Sequence, residues 1–315
     1  MRAVVLDTDD RFRLVEAPEP VPGPGEVAVR VAYAGVQWGD VLVRDGHFPV
    51  PRPFVPGFEA AGRITAVGEG VDDGRIGEQV SALVAGGGFA QVVLAPAALA
   101  IRAEGVDART AAGAGWVAPT AYDLINTVAG IGPGDSVLIH AASGGVGTLA
   151  AQFAALAGAR RIVGVVGSAD RADHARRFGY HRVLTRDEFP RALGEETFDA
   201  ILDPVGGPTR IANLAHLAPH GRLAVYGNIA SFEPVDVSAN DLLANGQSLM
   251  TYNSNLLSRT APARLAASAV RALDLLSDGL VRLDITAEHE LADVATAIAN
   301  LAAGATAGKT VVRVR

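Results

Sequence analysis

The stretch VLIHAASGGVGTLAAQFAALAGA (137–159) carries an apolar run into a glycine cluster and out into an alanine-rich segment. Glycine loses more backbone entropy on ordering than any other residue. Gly144, Gly145 and Gly147 at such a junction therefore point to a close approach that side chains would block. Ala142, Gly144 and Gly147 follow the spacing G-x-G-x-x-G with alanine in the first place. The pattern alone is weak, but its surroundings fit. A strand-like run precedes it, Val146, Leu149, Phe153 and Leu156 form one apolar helical stripe, and RRIVGVVGS (160–168) supplies a second strand. In such a βαβ unit Gly144 admits a diphosphate to the backbone and Gly147 lets helix and strand pack. Ser143, Gly145 and Val146 complete the loop, and the helix N-terminus attracts the negative charge. The competing reading is a tight strand-to-helix turn that binds nothing.

The end of the second strand selects the dinucleotide. An acid there accepts a hydrogen bond from the ribose 2′-hydroxyl of NAD, whereas small residues with arginines nearby accommodate a 2′-phosphate. This chain has Gly167 and Ser168 at that place, followed by Arg171, with Arg186 just past the next strand. NADP(H) is the expected cofactor. Asp170 is a competing acid, and either arginine could instead be a solvated surface charge.

Outward from this unit, HRVLT, FDAILDPV and GRLAVYG continue the alternation of strands with helical segments, the mark of a doubly wound parallel sheet. Residues 1–110 differ. AVVL, EVAVRVAYAG, AAGRITAVG and EQVSALV are short β-prone runs divided by Pro/Gly punctuation. TAYDLINTVAGI reads as helical, as does PARLAASAVRALDLLSDG near the C-terminal end.

With 315 residues the chain can build two cores, and 49% hydrophobic against 5% aromatic residues makes them aliphatic. A net charge of −7 disfavours a nucleic-acid or anionic-membrane partner. No apolar run approaches the roughly 18 residues of a membrane span, and MRAVVLDTDDRFRL sets acids where a signal peptide is apolar. A cytoplasmic protein is expected. The absence of cysteine excludes disulfides and thiolate metal sites.

AGVQWGDVLVRDGHFP (34–49), PFVPGFEAAGRITAVGEGV (53–71), AASGGVG (141–147), FDAILDPVGG (198–207), GRLAVYGN (221–228) and GKTVVRV (308–314) stand in the order found in one family. On these segments the chain resembles the medium-chain dehydrogenase/reductases, and among them the zinc-free quinone oxidoreductase (zeta-crystallin-like) branch. The resemblance implies an α/β protein. A GroES-like β-rich catalytic domain (1–121 and 262–315) would be interrupted by a Rossmann NADP(H)-binding domain (122–261). It implies NADPH as cofactor, with Ser143–Gly147 at the pyrophosphate, Gly167, Ser168, Arg171 and Arg186 at the adenosine end, and Gly227 and Asn228 at the nicotinamide half. Lys309 would be structural or approach the cofactor. Members of the family often carry lysine and tyrosine where Arg171 and Arg186 stand. A homodimer through the sheet edge near SLMTYNSN (248–255) is the family expectation.

Zinc-dependent relatives use a cysteine near position 37 and the histidine of a G-H-E motif; here the corresponding residues are Gln37 and Phe58 of GFE. His216 and His220 are four apart, but Pro219 lies between them and no third ligand is evident, so a surface pair is expected and no metal. Without a Lewis acid to hold an alkoxide, hydride donation to an activated acceptor is the easier chemistry. Gln37 is the candidate donor to a substrate carbonyl or the nicotinamide amide, and Thr120 matches a family threonine near the nicotinamide; both have a purely structural alternative. Trp38 and Phe48 are candidate walls of an apolar pocket. Asp40 either acts as an acid or only holds its loop, while Phe54 and Phe58 read equally as core. The small-molecule substrate is thus a quinone or α,β-unsaturated carbonyl. The alternatives are an enoyl reductase for a polyketide- or thioester-type intermediate and a non-catalytic NADPH-binding protein.

Overall fold

The computed structural model describes residues 1–314. The chain forms two compact units, one of Met1–Pro119 with the segment from Leu257 onward, the other of Thr120–Leu256. In the first, β1 (Arg2–Leu6) and β2 (Phe12–Glu16) make an antiparallel hairpin. Strands β3 (Glu26–Val36), β4 (Glu59–Val67), β5 (Gln79–Leu83), β6 (Val92–Pro96) and β7 (Ala100–Arg102) follow. β3 alternates Val and Ala along most of its length and is buried on both faces apart from the exposed Arg30 and the half-buried Glu26 and Tyr33, as suits the central member of a sheet.

The second unit is a six-stranded sheet of β8 (Ser136–His140), β9 (Arg161–Val166), β10 (Arg182–Thr185), β11 (Phe198–Asp203), β12 (Leu217–Val225) and β13 (Ser248–Thr251). All its pairs are parallel, in the order β10-β9-β8-β11-β12-β13. The chain winds outward from β8 to β10, then crosses back to β11 and winds the other way. The carboxyl ends of β8 and β11 therefore flank the switch point where open α/β sheets bind ligands. Leu138, Val163, Val165, Ile201 and Leu223 form its largely aliphatic core together with the ring of Phe198.

From Leu257 the chain is back in the first unit, where the helix Pro262–Ser277 is followed by β14 (Ile285–Glu290) and β15 (Lys309–Arg313), which complete a seven-stranded sheet ordered β14-β15-β3-β4-β5-β7, with β6 also on β3. Three boundaries differ from the sequence reading. β8 stops at His140 because Ala141 takes φ +52° and turns the chain. β12 starts at Leu217, ahead of the expected Gly221. The TAYDLINTVAGI segment is α-helical only over Val117–Asp123, then widens to a π-turn at Leu124–Val128. No helix among the described residues is long and apolar enough to cross a membrane.

Candidate active site

The glycine loop lies at the switch point of the parallel sheet. Gly144 is the N-cap of the helix Gly145–Leu156 and supplies no side-chain cap, so the first-turn N–H groups of Gly145, Val146 and Gly147 keep their capacity for an anion. The Gly144 N–H donates to the Ala141 carbonyl at 2.9 Å, which shapes the turn. The two outer glycines do different work. A Cβ on Gly147 would stand 2.4 Å from the Ala141 oxygen and 2.8 Å from Ala142 Cα, so helix and strand touch only because it is missing. A Cβ on Gly144 would meet nothing but the Ala141 oxygen at 3.3 Å, leaving an open face where a ligand can approach. Ser143 is buried beside it. Below the loop, the Tyr180 hydroxyl donates to the Gly147 carbonyl at 2.7 Å. His140 pairs through Nε2 with Asn213 Oδ1 at 2.7 Å, and burial holds its pKa below the usual imidazole value.

At the carboxyl end of β9 the fold brings together Gly167, Ser168, Arg171 and Arg186. The Arg171 N–H donates to the Ser168 carbonyl at 3.2 Å, and the Arg186 N–H donates to the Val166 carbonyl at 2.8 Å. Gly167 has open space around it. Neither guanidinium enters an ion pair among the described residues, in contrast with Arg176 and Arg182 close by, which bind Asp173 and Glu196. The competing acid, Asp170, is engaged by the Ser168 hydroxyl, which holds its carboxyl below the usual range.

Across the switch point, β11 ends in the fully buried Asp203. Its Oδ1 accepts from the Val205 N–H at 2.6 Å and the Gly206 N–H at 3.2 Å, and its Oδ2 accepts from Arg210 Nε at 2.9 Å. The same guanidinium reaches the loop after β12, where its terminal nitrogen donates to the Gly227 carbonyl at 2.9 Å and to Asn228 Oδ1 at 3.2 Å. The sequence reading missed Asp203 and Arg210. An acid closing a buried strand, with an arginine in the next helix, was the available signal, because such a charge needs a partner.

In the first unit, Gln37 caps the helix Trp38–Arg44 and its N–H donates to Asp40 Oδ2 at 2.9 Å. Asp40 Oδ1 accepts from the Gly57 N–H at 3.0 Å. Asp40 is therefore corrected from a pocket-lining acid to a buried tie between two loops, with both oxygens occupied; burial pushes it up to about 7. Gly39, in the first turn of this helix, lies between the Gln37 side chain and the Phe58 ring, a Cβ there standing 3.5 Å from the one and 3.4 Å from the other, and the Phe58 ring is met edge-on by Phe48 at 6.1 Å. Phe58 is core, Phe48 is more than a third exposed, and Trp38 Nε1 is buried with no acceptor. Lys309 is buried, and its ammonium donates to the Val36 carbonyl and to Glu59, the contacts of the structural one of its two readings. Glu59 also accepts from the Trp116 N–H at 2.8 Å, and burial raises its pKa against the pull of Lys309. Thr120 is buried in the helix Val117–Asp123. His216 is not the surface residue expected: it is buried with Nδ1 2.8 Å from the Glu196 carbonyl. Among the described residues no group of His, Asp and Glu has a metal-holding arrangement.

A doubly wound sheet with an uncapped glycine-rich helix mouth at its switch point, joined in one chain to a β-rich unit, is the architecture on which dinucleotide-dependent dehydrogenases and reductases are built. The profile of the alcohol dehydrogenase GroES-like domain matches residues 23–105, and that of the zinc-binding dehydrogenase matches residues 145–268. A quinone oxidoreductase of Pseudomonas aeruginosa is 31% identical over 92% of this chain and 91% of its own length. A 2-haloacrylate reductase of a Burkholderia species is 33% identical over 77% of each chain. A mycobacterial structure complexed with NADPH superposes with a TM-score of 0.89, at 31% identity and over 99% of both chains. The chain belongs to the medium-chain dehydrogenase/reductase superfamily, in its quinone oxidoreductase branch. It also aligns over 99% of its length with a mycocerosic acid synthase-like polyketide synthase of Mycolicibacterium smegmatis, of which it spans only 15%.

Proposed function

We propose that this chain is an NADPH-dependent reductase, working without zinc, that reduces a quinone or an α,β-unsaturated carbonyl compound. The observation that carries the reading is the pairing, in one unit, of an uncapped glycine mouth with two arginines that have no ion-pair partner among the described residues. Backbone N–H groups of Gly145, Val146 and Gly147 would hold the diphosphate, Ser168, Arg171 and Arg186 the 2′-phosphate, and Gly227 and Asn228 the nicotinamide end. The bound cofactor supplies the hydride. Gln37 is the donor offered to the oxygen on which charge develops, and Phe48 and Trp38 supply apolar wall. Lacking the thiolate and imidazole of the zinc-dependent relatives, Gln37 and Phe58 favour acceptors that need no metal. Thr120 is assigned to the nicotinamide neighbourhood. A homodimer is proposed through β13, the outermost strand of its sheet, in the cytoplasm.

A second reading, an enoyl reductase for a carrier-linked or other thioester intermediate, is favoured by the alignment with the polyketide synthase. The two separate in one assay: NADPH oxidation followed at 25 °C against a set of quinones, enones and enoyl thioesters. Turnover of quinones or free enones supports the first reading, and turnover confined to enoyl thioesters replaces it with the second. Tight NADPH binding with no oxidation by any acceptor contradicts both and leaves a binding protein.

A further inference from the structure

We infer that Arg210 is a positioning residue for the nicotinamide half of the cofactor, acting by fixing which end of the Asn228 amide faces the ligand. Its guanidinium is largely buried, and its Nε is fixed by Asp203, a carboxylate that also holds the N–H groups of Val205 and Gly206. The terminal nitrogen then spans two acceptors on the loop after β12, the Gly227 carbonyl and Asn228 Oδ1. An amide whose oxygen accepts from a cation is held in one orientation, with its NH2 turned to the other side. Asn228 thereby becomes a donor, suited to the carbonyl oxygen of a carboxamide. An unanchored asparagine could present either end and would spend part of its population reversed. The fork shape matters, because a guanidinium can serve Asp203 and the loop together, whereas an ammonium is a point charge on a flexible stem. Asp203 and Arg210 so join the carboxyl ends of β11 and β12 at the edge of the switch point.

This inference rests on the reading of the glycine loop as a dinucleotide site, and the test separates the two. Dissociation constants are measured by fluorescence and calorimetric titration for NADPH and for 2′,5′-ADP, a probe that lacks the nicotinamide half. Arg210→Ala is expected to weaken NADPH about tenfold, a 1.4 kcal/mol change, and to leave 2′,5′-ADP unchanged. In Asn228→Ala the effect of Arg210→Ala should vanish, so that the double variant binds NADPH as the Asn228 single variant does. Arg210→Lys, which keeps the charge opposite Asp203 without the fork, should weaken NADPH selectively as well; it decides the matter if Arg210→Ala does not fold. Wild-type affinity for NADPH in both Arg210 variants, or full additivity with Asn228→Ala, overturns the inference while the site reading stands. Binding of neither ligand by the wild-type chain removes the site reading itself.

Discussion

At the residue scale, the two glycines of one loop make opposite demands. Gly147→Ala forces a Cβ to 2.4 Å from a backbone oxygen, so the helix must move off the strand. That overpacking is expected to cost about 1–3 kcal/mol of stability, seen as a lower urea midpoint. Gly144→Ala has φ −84° and room for its methyl, so stability should change by less than about 0.5 kcal/mol. Its methyl stands instead where a diphosphate would lie, and NADPH affinity should fall sharply. Equal loss of stability in the two variants would contradict this division. Asp40 offers a test by pH. Its carboxyl is raised by burial to about 7 in the folded protein, with Glu59 adding to the rise and Lys309 opposing it. The folded state therefore holds a proton that the unfolded state has released above about pH 4. Stability must fall as pH rises from about 4 to about 7, on the order of 4 kcal/mol for this group, and then level off. Relative to Asp40→Asn, which does not titrate, the wild-type should lose stability over that window; parallel curves for the two proteins would refute the assignment.

At the element scale, the sequence spoke most clearly where burial and periodicity agree. The apolar runs around β8, β9 and β11 could be placed within a residue or two, because a parallel strand buried on both faces has to be apolar almost throughout. The glycine loop was legible for the same reason, since its spacing makes sense only between a strand and a helix. What stayed hidden were contacts made by residues far apart in the chain. Lys309 and Glu59 meet across 250 positions, and nothing local to GKTVV or GFE announces that the lysine belongs to the carboxylate. His216 read as a surface histidine because the start of β12 at Leu217, which buries it, carries Pro219, a residue that argues against a strand. The Glu59–Lys309 pair makes its own prediction. Lys309→Met strands a buried carboxylate and should cost about 3–5 kcal/mol in a denaturant titration, whereas adding Glu59→Gln should restore much of the loss. A double variant as unstable as the single would show that the pair is not what Glu59 requires.

At the scale of the whole molecule, one chain carries two units with different duties. The parallel unit gathers its open amides, and arginines without an ion pair among the described residues, at the carboxyl ends of β8 and β9, while in the β-rich unit Asp40 ties Gln37 to Gly57 and Lys309 joins the Val36 carbonyl to Glu59. Substrate class is the part of the account least visible in the sequence, because it depends on side chains that no motif constrains, Phe48 and Trp38 among them. The cofactor is the more constrained part, and the proposal assigns its identity to two residues, Arg171 and Arg186. The direct measurement is the ratio of the dissociation constants for NADPH and NADH, in the wild-type chain and in Arg171→Ala/Arg186→Ala. Loss of charge-assisted bonds to a 2′-phosphate should bring a wild-type preference of about tenfold or more close to unity, by weakening NADPH and not NADH. A wild-type chain that binds NADH as tightly as NADPH, or a preference that survives in the double variant, would contradict the account.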